Sequence, residues 1–170
     1  MQSAARRTAL LGILCAEAIA LSALEGLIPQ FIPVPGIKPG FSNIVTMYAV
    51  ISLGTPYALL ITLFKAAFAV LTRGVTAGIL SLCGGLMSLA VMVVFFRLLP
   101  GRLGLLGTAV LSSVFHNAGQ LLAAAFILGK DTLRLFPVLT LAAVVTGILT
   151  GTVLKLTVPI LEKQKLRRGK

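Results

Sequence analysis

The stretch VTAGILSLCGGLMSLAVMVVFF, residues 75–96, runs for twenty-two residues without a charged side chain. As a helix it reaches about 33 Å at 1.5 Å per residue, enough to cross a hydrocarbon core of roughly 30 Å. Arg73 lies just before it and Arg97 just after it. Such a run is either the core of a large protein or a membrane span, and the rest of the chain decides between them.

The chain has 170 residues, 58% of them hydrophobic and 11% charged, with a mean hydropathy of +1.05. A domain of this length buries only about 70% of its unfolded surface, and ordinary globular chains carry about 25% charge. The remaining apolar faces therefore need lipid as their solvent, which excludes a soluble domain. Working outward from residues 75–96, further apolar runs cover 8–28, 40–53, 57–71, 103–128 and 135–161. The Ala-x-Ala triplets of the first run raise the option of a cleaved leader. Glu17 in its middle and its spanning length argue instead for a retained helix.

Residues 29–39, PQFIPVPGIKP, form a loop, because four prolines remove backbone donors and disfavour helix in the residues before them. The pair of spans 40–53 and 57–71 requires a turn at Gly54, Thr55 and Pro56, and leaves both halves short at about 21 to 23 Å.

Fifteen Lys and Arg against four Asp and Glu give a net charge of +11. The basic residues do not track a groove-reading element, as nucleic-acid binding demands. They gather at Arg6 and Arg7, at Arg97 and Arg102, and in a basic tail over 162–170. Basic clusters at both ends keep both termini in the cytoplasm, which requires an even number of crossings. The expected fold is an all-α membrane protein, one integral domain of six transmembrane helices, with the tail inside.

Polar residues at membrane depth carry the chemistry, since each costs a few kcal/mol unless it finds a partner or a wet cavity. They are Glu17 and Glu25 in the first span, Asn43 and Thr46 in the second, Lys65 in the third, and His116, Asn117 and Gln120 in the fifth. His116 and Gln120, four residues apart, share one helix face, and Asn117 lies about 100° round from His116. The stripe reads either as a ligand-binding surface or as hydrogen bonding between helices. Lys65 either pairs with Glu17 or Glu25 or faces an anionic ligand. With Lys38 and Arg73 near the outer end, the balance favours an anionic or phosphate-bearing ligand.

His116 is the only histidine, and no cysteine or carboxylate stands near it in sequence, so no metal or other cofactor is expected. Cys15 and Cys83 read as small buried hydrophobes. Small residues recur at helical spacing in Gly12, Ala16 and Ala20 and in Gly147 and Gly151, which lets helices approach closely, either within the bundle or against a separate membrane subunit. No Gly-x-x-x-x-Gly-Lys-Ser/Thr loop is present, so uphill transport would draw its energy from a partner or an ion gradient.

The segments PGIKPGFSNIVTMYA (35–49), LTRGVTAGILSLCGGLMSLAVM (71–92) and SSVFHNAGQLLAAAF (112–126) carry a family resemblance. The chain resembles a bacterial membrane family known under two labels, Gx transporter and heptaprenyl diphosphate synthase component I. That family is similar to the S components of energy-coupling-factor transporters. The resemblance covers nearly the whole chain and marks Pro35, Gly36, Lys38, Gly40 and Asn43, then Thr72, Arg73 and Gly74, Gly84 and Gly85, and His116, Asn117, Gly119 and Gln120. Phe41 and Ser42 depart from it, standing where Leu and Ala are expected.

It implies a first outer loop that closes over the ligand, and docking of a transmembrane coupling subunit with its ATPases at Ala16 and Ala20. The two labels imply different functions: solute capture for a transporter, or a membrane subunit that assists a soluble prenyl synthase subunit in making heptaprenyl diphosphate for menaquinone. Trans-type prenyl elongation needs clustered aspartates to hold Mg²⁺. Asp131 is the single aspartate here, so the chain is not expected to catalyse elongation by itself.

Overall fold

The computed structural model describes residues 4–27 and 40–167, with side chains placed for 5–27 and 40–159. Among these residues the fold is all-helical, in the order α1 (Ala4–Leu27), α2 (Asn43–Ser52), α3 (Thr55–Arg73), α4 (Val75–Val93), α5 (Gly104–Leu128) and α6 (Phe136–Arg167). A π-helical turn, Val94–Leu98, extends α4, and a 3-10 turn, Lys130–Leu135, leads into α6. Five of these segments are long and apolar enough to cross a membrane, as expected of a multi-pass membrane protein. Their outer faces carry the matching surface, with Leu71, Leu141, Leu156 and Phe126 all exposed, the last by 94%.

The expected pair of short helices resolves unequally. α3 starts at Thr55, with Pro56 in its first turn where a missing N–H costs nothing, and at about 28 Å it is close to a full span. α2 has only ten residues, about 15 Å. At its far end Arg97 Nη2 donates to the Val50 carbonyl at 3.0 Å, so a cation satisfies an end carbonyl of α2. α6 also differs from its expected bounds, continuing through Pro159 into the basic segment as far as Arg167. Gly74, at φ +90, ends α3 and begins α4 in one residue, and no side chain adopts that backbone without strain.

α5 packs along both α4 and α6, α3 packs along α4, and α1 touches α2 and α3. The α5–α6 approach is set by glycine: a Cβ on Gly147 would lie 2.5 Å from Val110 Cα, and one on Gly151 would lie 3.0 Å from Leu106 Cα. Gly119 meets α4 in the same way, 2.7 Å from the Cys83 carbonyl oxygen. Gly12 meets nothing within 4 Å, and Ala16 and Ala20 are exposed.

The core falls into two apolar layers. One gathers Leu14, Val45, Met47, Val50, Ile61, Met92 and Leu154. The other gathers Leu80, Leu121, Ala124 and Leu139.

Candidate ligand-binding centre

Lys65 sits eight residues before the end of α3, about 12 Å below Arg73, and is 3% exposed. Its ammonium donates to Asn43 Oδ1 at 2.9 Å. That bond fixes the depth of α2: its first residue lies beside the interior of α3, so the short helix begins inside the bundle. It also fixes the Asn43 amide, since a lysine can only donate, which leaves the Asn43 NH₂ group facing away from the lysine.

A helix that begins at depth brings unpaired N–H groups with it. Glu25 answers them. Although it lies in the last turn of α1, where the helix dipole disfavours a carboxylate, it is buried and accepts from the Ser42 backbone N–H at 2.9 Å, with Ser42 Oγ at 3.5 Å. Glu25 also acts electrostatically on Lys65 and on Arg73. No ion pair within 4 Å joins these groups, however, and Glu17 lies elsewhere, so of the two alternatives for Lys65 the carboxylate pair is not formed, and the ammonium bonds neutral Asn43. Arg73 Nη2 donates to Ser22 Oγ of α1 at 3.4 Å.

His116 lies at mid-length on α5 and packs under Gly40. A Cβ on Gly40, at φ +88, would stand 2.9 Å from His116 Cδ2 and 3.2 Å from Asn43 Nδ2, so only a glycine lets the chain cover these two side chains so closely. On the other side the ring leans on Gly84, where a Cβ would lie 3.0 Å from His116 Cε1 and 2.7 Å from Gln120 Cγ. Gly84 is thus the slot that admits both side chains between α4 and α5.

Asn43, Lys65, His116 and Gln120 therefore come together. Asn117 is turned toward α6 and donates to the Leu139 carbonyl at 2.9 Å. Arg73 stands at the end of α3, bonded to Ser22 of α1 and apart from these four. Lys38 lies outside the described residues. Ala16 and Ala20 are apart from the centre, on α1. Ala20 lines a groove of about 620 Å³ floored by Ile44, Val45 and Tyr48 of α2 and walled by α1 and by Val153, Leu154 and Thr157 of α6.

Five buried polar atoms have no hydrogen-bond partner among the described residues: Asn43 Nδ2, Thr46 Oγ1, Ser88 Oγ, His116 Nδ1 and Asn117 Oδ1. Thr46 lies one turn after Asn43 on the buried face of α2, and Ser88 one turn after Gly84 on that of α4. Each such atom costs about 1–3 kcal/mol when buried unpaired, and two of them, Asn43 Nδ2 and His116 Nδ1, belong to side chains that meet under Gly40. The sequence points to Ser88 only through its spacing from Gly84. For Glu25 the available signal is a carboxylate at the unfavourable end of a helix.

Among the described residues no three His, Cys, Asp or Glu side chains gather to hold a metal. Asp131, the single aspartate, is exposed and paired with Arg134 at 3.2 Å in the 3-10 turn. A family model described as heptaprenyl diphosphate synthase component I matches residues 14–157, which is most of the chain. No curated protein and no solved structure matches it.

Proposed function

The chain belongs to the heptaprenyl diphosphate synthase component I family, and from that premise and the buried polar centre we propose that it is the substrate-binding integral membrane subunit of a small-molecule transporter. The observation that carries this reading is the buried Lys65–Asn43 pair, beside which Asn43 Nδ2 and His116 Nδ1 are left unpartnered. Packing alone is better served by apolar side chains at these positions, and a bound solute supplies the missing hydrogen-bond partners. The chain spans a bacterial cell membrane six times as a single domain, with both termini in the cytoplasm, because its basic ends resist translocation. α2 counts as the short second crossing. Lys38 and Arg73 draw anionic solutes toward the centre, and the exposed Ala16 and Ala20 ridge docks a transmembrane coupling subunit served by ATPases.

Native mass spectrometry of the purified chain tests this. A small molecule bound near one per chain is expected; a chain that carries only lipid and detergent refutes solute binding.

The family's description favours a second reading, a membrane subunit that assists a separate synthase subunit in making heptaprenyl diphosphate. In that role too the chain is non-catalytic, since one exposed aspartate cannot hold the Mg²⁺ ions of trans-type prenyl elongation. Purified chain given farnesyl diphosphate, isopentenyl diphosphate and Mg²⁺ should form no longer product. Elongation that rises only when an Asp-rich synthase subunit is added would establish this second reading over the first.

A further inference from the structure

We propose that two copies of the chain pair in the membrane about a two-fold axis along its normal. Each lays its α6 in the groove between α1 and α6 of the other, which sets Lys155 of each copy on the partner's Glu17. This goes beyond solute binding and does not depend on it.

A charged side chain that faces lipid is costly until it finds a partner. Among the described residues, two exposed charged side chains lie well away from helix ends: Glu17, ten residues before the end of α1, and Lys155, twelve before the end of α6. They are opposite in sign, and neither has an ion-pair or hydrogen-bond partner there.

The groove relates the two. α2 packs on both α1 and α6 and holds them apart, and because it is only ten residues long it leaves a recess of about 620 Å³ between them. Glu17 lines this recess on the α1 wall, and Val153, Leu154 and Thr157 line it on the α6 wall. Lys155 lies within that α6 stretch, so the two charges share a level. They cannot meet within one copy, however, since Lys155 is two residues from both Val153 and Thr157 and therefore about 160° round the helix from each, on the flank turned away from the recess.

A second α6 resolves this. Laid in the recess with its own Val153–Thr157 flank against the first α6, it turns its Lys155 toward Glu17 on the opposite wall. A two-fold axis along the membrane normal keeps every residue at its own depth, so the same pair forms twice. Gly12, Ala16 and Ala20 are exposed on α1, and a Cβ at Gly12 would meet nothing within 4 Å, so a second helix can come close there. The second copy covers the α1 face assigned above to a coupling subunit. The two exclude one another, and the dimer is the form of the chain without that subunit.

Sedimentation equilibrium of the full chain in a density-matched neutral detergent tests the pairing. The expected wild-type species has twice the 17.8 kDa chain mass. Glu17→Lys alone and Lys155→Glu alone set like charges against each other and should each weaken the dimer at least about a hundredfold. Combining them reverses both pairs and should restore the dimer to within about tenfold of the wild type. A monomeric wild-type chain, its groove left to lipid or to another membrane subunit, overturns the inference. So does a dimer that either single reversal leaves intact, or one that the combined variant fails to restore. If a reversal variant does not elute as a single species, Glu17→Gln and Lys155→Met replace it; each should weaken the dimer at least about tenfold, and a dimer of full strength in both overturns the inference.

Discussion

Replacing Gly147 by alanine tests whether α5 and α6 meet backbone to backbone. The added Cβ would stand 2.5 Å from Val110 Cα and 3.1 Å from both Ala109 O and Val110 N. All three are backbone atoms, so no rotamer change makes room. Comfortable carbon–carbon contact begins near 3.5 Å, and the helices must separate locally by roughly 1 Å. Overpacking of this kind costs about 1–3 kcal/mol, and three rigid contacts place it near the upper end. Alanine in place of glycine within a helix returns about 1 kcal/mol, leaving a net loss of about 2 kcal/mol. For a chain of this size that lowers the melting temperature by about 4–8 °C. Gly12→Ala, on α1 with nothing within 4 Å, keeps the helix gain without the clash and should melt at or slightly above the wild type. Thermal unfolding in detergent, followed by dye labelling of the half-buried thiols of Cys15 and Cys83, measures both variants. If Gly147→Ala melts as high as Gly12→Ala, the close α5–α6 approach is wrong.

Glu25→Gln should destabilise the start of α2 by about 1–1.5 kcal/mol, since a charge-assisted bond to the Ser42 N–H becomes a neutral one; faster amide hydrogen exchange at residues 42–46 is the readout, and unchanged exchange would count against the capping role. Alkaline phosphatase fused after Lys170 should be inactive in a Gram-negative host, and high activity there removes the six-crossing topology. Ala16→Trp or Ala20→Trp should abolish copurification with a membrane partner while the isolated chain keeps its melting temperature; a large fall in that temperature would place the ridge inside the bundle.

Composition alone settled the solvent of this protein. With so little charge and so much apolar surface, 75–96 and its neighbours had to become apolar helices. The grouping of His116 with Gln120 was equally legible, because a helix puts residues four apart on one face whatever surrounds it.

Contacts between helices were not legible, because hydropathy records what a segment dissolves in and not which neighbour it touches. Both Gly12 and Gly147 read as small-residue ridges, yet one faces outward and the other lies against the backbone of α5. Lys65 offered a carboxylate or a ligand as partner, and the fold gave it Asn43, because α2 begins at the depth of mid-α3. The fold also gave Glu25 the Ser42 N–H just before α2 and turned Asn117 toward the Leu139 carbonyl. The sequence by itself determined which residues had to lie in an apolar medium. Only the tertiary structure decided which polar atoms were paired and which were left open, since a hydrogen bond depends on a few tenths of an ångström between helices distant in sequence.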